Sequence, residues 1–131
     1  MKSPGRILLV DDEPLVLEMF EQFLEHHGYT VTSASSSLLA RQQLSTNFFD
    51  LVLTDLRLDG FDGFQVIELA RQINPQVGAI IVTGAPQDGD RERAEKLSAA
   101  YLSKPVMMDE LLSSVKVLLN CSLQVRAQNE S

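Results

Sequence analysis

Two stretches decide how this chain folds: Ile-Leu-Leu-Val-Asp-Asp-Glu-Pro at residues 7–14 and Leu-Val-Leu-Thr-Asp at residues 51–55. Each is a short unbroken apolar run that stops at a carboxylate. Runs of this length without polar alternation suit strands buried on both faces, as in a parallel sheet covered by helices. If the two strands are neighbours, Asp11, Asp12 and Asp55 converge at one sheet edge. Three negative charges there are costly unless a cation shares the site, and a divalent metal answers that need.

Outward from these runs, strand-like and helix-like segments alternate. Glu13 to His27 has helical period, with Leu15, Met19, Phe20, Phe23 and Leu24 expected on the inner face, Asp12 as cap and Pro14 in the first turn. Gly28 ends it. Tyr29 to Ala34 is β-branched enough for a second strand, and Ser35-Ser36-Ser37 starts a helix through about Ser45. Asp62 can cap a helix from Gly63 to about Ile73, with Phe64, Ile67 and Ala70 inward and Asn74-Pro75 as its stop. Gly78 to Thr83 is a fourth strand and Ala100 to Ser103 a fifth. Between them Asp88 to Leu97 is charged almost throughout, which predicts a weakly anchored helix. The last helix is expected over Met108 to Asn120, burying Leu111, Leu112, Val115, Leu118 and Leu119, with a polar tail or the start of a linker at 121–131. One domain over residues 1–120 follows.

Five βα units imply a parallel sheet with helices on both faces, because right-handed crossovers place them there. Ligands of such sheets bind beyond the carboxyl ends of the strands. Asp11, Asp12, Asp55, Thr83 and Ser103-Lys104-Pro105 all fall at those ends.

The bulk composition narrows the function classes. With 131 residues and 44% hydrophobic content, one domain can bury a core without disulfides or structural metal. A net charge of −7 argues against direct nucleic-acid binding, although an acidic surface also simply keeps a protein soluble. The single cysteine, Cys121, excludes an intrachain disulfide. The first six residues lead into only four apolar ones, too few for a signal-peptide core or a membrane span, so a cytoplasmic location is expected.

The motifs Leu-Val-Asp-Asp-Glu-Pro (9–14), Thr-Asp-Leu-Arg-Leu-Asp-Gly-Phe-Asp-Gly (54–63), Thr83-Gly84 and Tyr101-Leu102-Ser103-Lys104-Pro105 together resemble the receiver domains of bacterial two-component response regulators. The resemblance covers residues 6 to about 119. It implies a flavodoxin-like, doubly wound five-stranded parallel sheet of order 2-1-3-4-5. It also implies phosphorylation of Asp55 by a sensor histidine kinase or a phosphotransfer protein. In that reading Asp12 and Asp55 ligate Mg²⁺, with Mn²⁺ able to substitute, the backbone carbonyl of Arg57 is a third protein oxygen, and Asp11 acts mostly through water. Lys104 pairs with the phosphoryl group and is aimed by a cis bond to Pro105. Thr83 donates a hydroxyl hydrogen bond to the phosphoryl, and Tyr101 is the switch aromatic that follows Thr83. The resemblance implies that the face made by the fourth helix, fifth strand and last helix meets partners.

Each of these residues also has a plain structural reading. An aspartate before a helix is commonly a cap, a lysine is commonly a solvated surface group, Thr83 suits any strand, and Tyr101 suits a half-buried sheet edge. His26 and His27 decorate a helix end, and Met107-Met108 reads as core filler.

This sequence also departs from the family's usual pattern. Asp59 stands where most members have proline, and is expected to point to solvent. The segment Leu97-Ser98-Ala99-Ala100-Tyr101 lacks the glycine and acidic pair of receivers that dimerise through that face, so a monomer or a weak homodimer is expected.

Two other classes compete: a receiver-like binding module that signals without phosphate, and an aspartate-nucleophile phosphatase. Intact Asp55, Thr83 and Lys104 speak against the first. The second resembles Asp-x-Asp after the first strand, where this chain has Asp-Asp-Glu-Pro, so no enzyme beyond self-directed phosphorylation and dephosphorylation is expected. A flavin or nucleotide site would want a Gly-rich or Ser/Thr-rich loop after the first strand, which is absent.

Overall fold

The computed structural model describes residues 5–130, with side chains through Asn120; Cys121 and the tail expected at 121–131 lie outside the described side chains. The strands are β1 (Arg6–Val10), β2 (Thr30–Ala34), β3 (Leu51–Asp55), β4 (Gly78–Thr83) and β5 (Ala100–Ser103). The helices are α1 (Pro14–His26), α2 (Ser37–Thr46), α3 (Gly63–Ile73), α4 (Asp90–Lys96) and α5 (Met108–Glu130). All strand pairs are parallel, in the order β2-β1-β3-β4-β5, as the resemblance implies.

Alternate residues of the buried strands feed two separate cores, because successive Cβ atoms point to opposite sides of a sheet. Leu8, Val10, Val52, Ala79 and Ile81 pack with Phe64, Ile67 and Ala70 of α3, Leu44 of α2 and Ala94 of α4. Ile7, Leu9, Leu51, Leu53, Ile80 and Val82 pack with Leu17, Phe20 and Leu24 of α1 and Leu111, Val115 and Leu119 of α5. The β3 and β4 strands are buried along their whole length, which explains their unbroken apolar sequence.

The structure corrects the sequence reading in several places. In α1 the buried residues are Leu17, Phe20 and Leu24, while Leu15 is 80% and Met19 50% exposed. At about 100° per residue, Leu17 lies some 200° from both, so all three cannot face the core. Asp12 does not cap α1: Glu13 is the N-cap, and it is Asp11 whose Oδ1 accepts the Glu13 N–H at 2.9 Å. Helix α4 starts later than expected, after Gly89 in the left-handed region at φ +87°. Helix α5 runs on to Glu130 instead of ending at Asn120. Met107 is 64% exposed, so only Met108 of that pair packs against the core.

Candidate phosphoacceptor site

The register sets the site. Val10 pairs with Thr54, so Asp11 and Asp55 emerge side by side from β1 and β3, while Thr83 pairs with Ser103 next to Lys104. Asp11 is held by its own backbone, whose N–H donates to the Ala34 carbonyl of β2 at 3.2 Å. The backbone around Asp55 is fixed by Leu56 N–H to Val82 O at 3.0 Å, Gly63 N–H to Leu56 O at 2.9 Å, and the Thr54 hydroxyl donating to the Asp55 carbonyl at 2.8 Å. Gly63 must be glycine here for reasons of space. A Cβ on it would lie 2.4 Å from the Asp55 carbonyl oxygen.

The Lys104–Pro105 bond is cis, and the Lys104 N–H donates to the Thr83 carbonyl at 2.9 Å. From there the Lys104 ammonium reaches Asp11 Oδ2 at 3.1 Å, Asp55 Oδ2 at 3.4 Å and Glu13 Oε1 at 3.6 Å. One cation thus lies between two carboxylates that are only 2% and 8% exposed. Burial pushes the Asp55 carboxyl above its ordinary value; Lys104 pulls it down, Asp11 pushes it further up, and the nearby Arg57 backbone N–H lowers it again. For Lys104, burial favours the neutral amine, but the hydrogen bonds and charges of Asp11 and Asp55 prevail and raise its value.

Carboxylate oxygens of Asp11, Asp12 and Asp55 lie within 4.8 Å of one another, with Asp12 exposed and the other two buried. A pocket with only hard oxygen donors and one open side suits Mg²⁺, which keeps several waters. The residues therefore fit such an ion. The Thr83 side chain is buried and its Oγ1 accepts the Ala85 N–H at 3.1 Å, which leaves the hydroxyl proton for another acceptor. Tyr101 is half-buried against the α2–α3–α4 core, with the Arg91 guanidinium 4.9 Å from its ring centre. Asp59 is exposed as expected, and its carbonyl accepts the buried Ser37 hydroxyl at 2.6 Å, a tie from α2 that steadies the loop where proline is missing.

The sequence reading missed a second layer. It valued Arg57 only for its carbonyl, yet the guanidinium Nη2 lies 2.5 Å from Asp90 Oδ2. Arg71 of α3 donates through Nε to the Val77 carbonyl at 3.0 Å and through Nη1 to the Leu97 carbonyl at the end of α4. Burial lowers the Arg71 value, as expected of a cation paired only with carbonyls. The contacts to Asp90 and Leu97 span 33 and 26 residues and tie α4 to elements whose placement only packing fixes, so no local motif announces them.

Comparison with known proteins agrees with this geometry. Residues 7–116 match the model of the response regulator receiver domain. The chain is 37% identical over 128 residues to the alginate biosynthesis transcriptional regulatory protein AlgB of Pseudomonas putida, covering 96% of this chain and 29% of that protein. It is 33% identical over 114 residues to the transcriptional regulatory protein GlrR of Escherichia coli, covering 86% and 26% respectively. The chain thus spans less than a third of these relatives' length. Among solved structures it is similar to a CheY-like receiver domain protein of Methanospirillum hungatei, at 32% identity and a TM-score of 0.85 over 91% of this chain and 96% of that one. A receiver protein of Sinorhizobium medicae matches at 35% and 0.81, covering 89% and 95%. No described helix is long and apolar enough to cross a membrane. With residues 7–116 matching the family model, relatives above 30% identity over most of its length, and a sheet of order β2-β1-β3-β4-β5, the chain belongs to the response regulator receiver domains of two-component signalling.

Proposed function

We propose that this chain accepts a phosphoryl group on Asp55 from the phosphohistidine of a sensor kinase or phosphotransfer protein, and that this charge changes how its α4–β5–α5 face binds partners. The observation that carries the reading is the Lys104 ammonium lying between Asp11 and Asp55 at 3.1 and 3.4 Å. An Asp55 carboxylate oxygen attacks phosphorus, an O–P bond forms as the N–P bond breaks, and the donor imidazole leaves with the electron pair and is then protonated. Burial that raises the Asp55 carboxyl also makes its anion a better nucleophile. The partly exposed ammonium can turn from the carboxylates towards a phosphoryl oxygen. The Thr83 hydroxyl, free to donate, suits a second such oxygen.

Asp12 and Asp55, the Arg57 carbonyl, and Asp11 through water are the groups that would hold Mg²⁺, or Mn²⁺ in its place. Bound there, the ion supplies positive charge against the oxygens of the transferring group. The chain turns over no other substrate in this reading, and it acts in the cytoplasm as a monomer or weak homodimer. Its transcriptional relatives suggest that receiver and output segments share one protein, whose target stays with that output segment.

Incubation with acetyl phosphate and Mg²⁺, read by intact mass, tests the reading. One phosphoryl adduct is expected, absent in Asp55→Asn and in excess chelator. An unmodified wild-type chain overturns it in favour of a module that signals by fixed contacts.

A further inference from the structure

The first residue of helix α4 is joined to the phosphoacceptor loop by an ion pair whose carboxylate is buried, and its geometry gives it a task. Arg57 stands two residues after Asp55, in the loop that leaves the end of β3. Its side chain reaches out of that loop to Asp90, the first residue of α4, at 2.5 Å. The Asp90 side chain is only 11% exposed, whereas that of Arg57 is 36% exposed. The same Asp90 Oδ2 accepts the Gln87 N–H at 2.8 Å, and the N-cap Gly89 has no side chain to offer. One oxygen therefore secures both the entry turn of α4 and the link to the site.

Two further observations show which way the link can yield. The Arg57 Nε is buried without a hydrogen-bond partner, so the guanidinium fork is only partly used. Guanidinium forks favour bidentate anions, and a phosphoryl group carries roughly −1.5 to −2 charge and three strong acceptors against one charge on a carboxylate. Burial and the Asp90 charge push the Tyr101 hydroxyl above its ordinary value while Arg91 and Arg57 pull it down, so both members of the pair lie within electrostatic reach of that ring.

We propose that the Arg57–Asp90 ion pair is a latch holding the entry of α4 in its unphosphorylated position, released when a phosphoryl group on Asp55 draws the Arg57 guanidinium away from Asp90. Release leaves Asp90 buried without its cation, a costly state that α4 relieves by moving its N-terminal turn towards water. Apart from Ala94, no apolar residue of α4 is fully buried to oppose that movement. The latch rests on the phosphoacceptor reading, but it runs through residues other than Thr83.

The test uses beryllofluoride with Mg²⁺ as a non-covalent stand-in for the phosphoryl group, followed by ¹⁹F NMR for affinity and by amide exchange over residues 87–97. In the wild-type chain, beryllofluoride is expected to speed exchange at the α4 entry. Asp90→Asn, which keeps an acceptor for the Gln87 N–H, is expected to exchange as fast without the ligand and to bind it at least about fivefold more tightly, since coupling is reciprocal. A residue that merely caps the helix would alter exchange and leave affinity untouched. Unchanged affinity in Asp90→Asn, or α4 exchange indifferent to ligand in the wild type, overturns the latch while the phosphoacceptor reading stands. Failure of the wild type to bind beryllofluoride at all overturns both. Should Asp90→Asn not fold, Arg57→Met keeps the backbone carbonyl and must show the same fast exchange without ligand, or the latch is rejected.

Discussion

Helices α3 and α4 cover the same face of the sheet, yet they are attached by different forces. Helix α3 buries Gly63, Phe64, Val66, Ile67 and Ala70, and begins with a full capping box in which Asp62 and Gln65 bond each other's backbone N–H groups. Helix α4 buries only Asp90 and Ala94 and begins at an uncapped left-handed glycine. Its remaining attachments are polar: Arg57 at the entry, Arg93 reaching towards Asp62 and Glu68, and Arg71 on the Leu97 carbonyl at the exit. Apolar burial resists displacement in every direction, while an ion pair is exchanged at little cost for another of similar charge. The helix that walls the phosphoacceptor is therefore rigid, and the helix beyond it is built to be re-paired.

The largest effects should separate the two helices most clearly. Ile67→Ala removes a fully buried side chain of α3 and should cost about 2–5 kcal/mol of stability by urea denaturation. Ala94→Gly in α4 should cost about 1–2 kcal/mol, from helix propensity and one methyl group. Equal losses would erase the contrast. Next comes Arg71→Met, which leaves the Val77 and Leu97 carbonyls without their donor and should cost about 1–3 kcal/mol, with amide exchange rising at the α4 exit. A loss confined to α3 would show that Arg71 does not tether α4.

The same contrast explains what could be read from the sequence. Five strands and the α3 boundaries were legible because short apolar or β-branched runs and an Asp cap with an Asn-Pro stop are local signals. So was the convergence of Asp11, Asp12, Asp55 and Lys104, which topology alone places at strand ends. The phase of α1 was not, because seven of its residues are apolar and the period fits more than one face. Neither were Arg57–Asp90 and Arg71–Leu97: in the charged run 88–96 nothing marks Asp90 as the buried member until α4 is docked.

A smaller effect, and one of opposite sign, is expected at the site that α3 walls off. Burial raises the Asp55 carboxyl above 3.8, so the folded chain holds this proton to higher pH than the unfolded chain does. Wild-type stability should then fall as pH rises from that value through the raised folded value, and level off above it. Asp55→Asn carries no such charge. Without Mg²⁺, it should melt above the wild type at neutral pH, with the gap closing as pH falls below 3.8. A gap that widened in acid would mean that Lys104 outweighs burial at Asp55, and that the walled site favours its anion.

The smallest effect tests the seam itself. Arg93 lies 3.7 Å from Asp62 and 3.5 Å from Glu68, and its guanidinium is 4.5 Å from the centre of the Phe64 ring, yet its side chain is 48% exposed. Exposed pairs of this kind contribute little because water and salt screen them, so Arg93→Ala should cost about 0.5–1 kcal/mol. The ionic part of that cost should shrink when denaturation is repeated in high salt, leaving the contact with the ring. A loss above about 2 kcal/mol, insensitive to salt, would mean that Arg93 and Phe64 form a packed joint. Helix α4 would then be fixed to α3 along its middle, and re-pairing at Asp90 could move only its first turn.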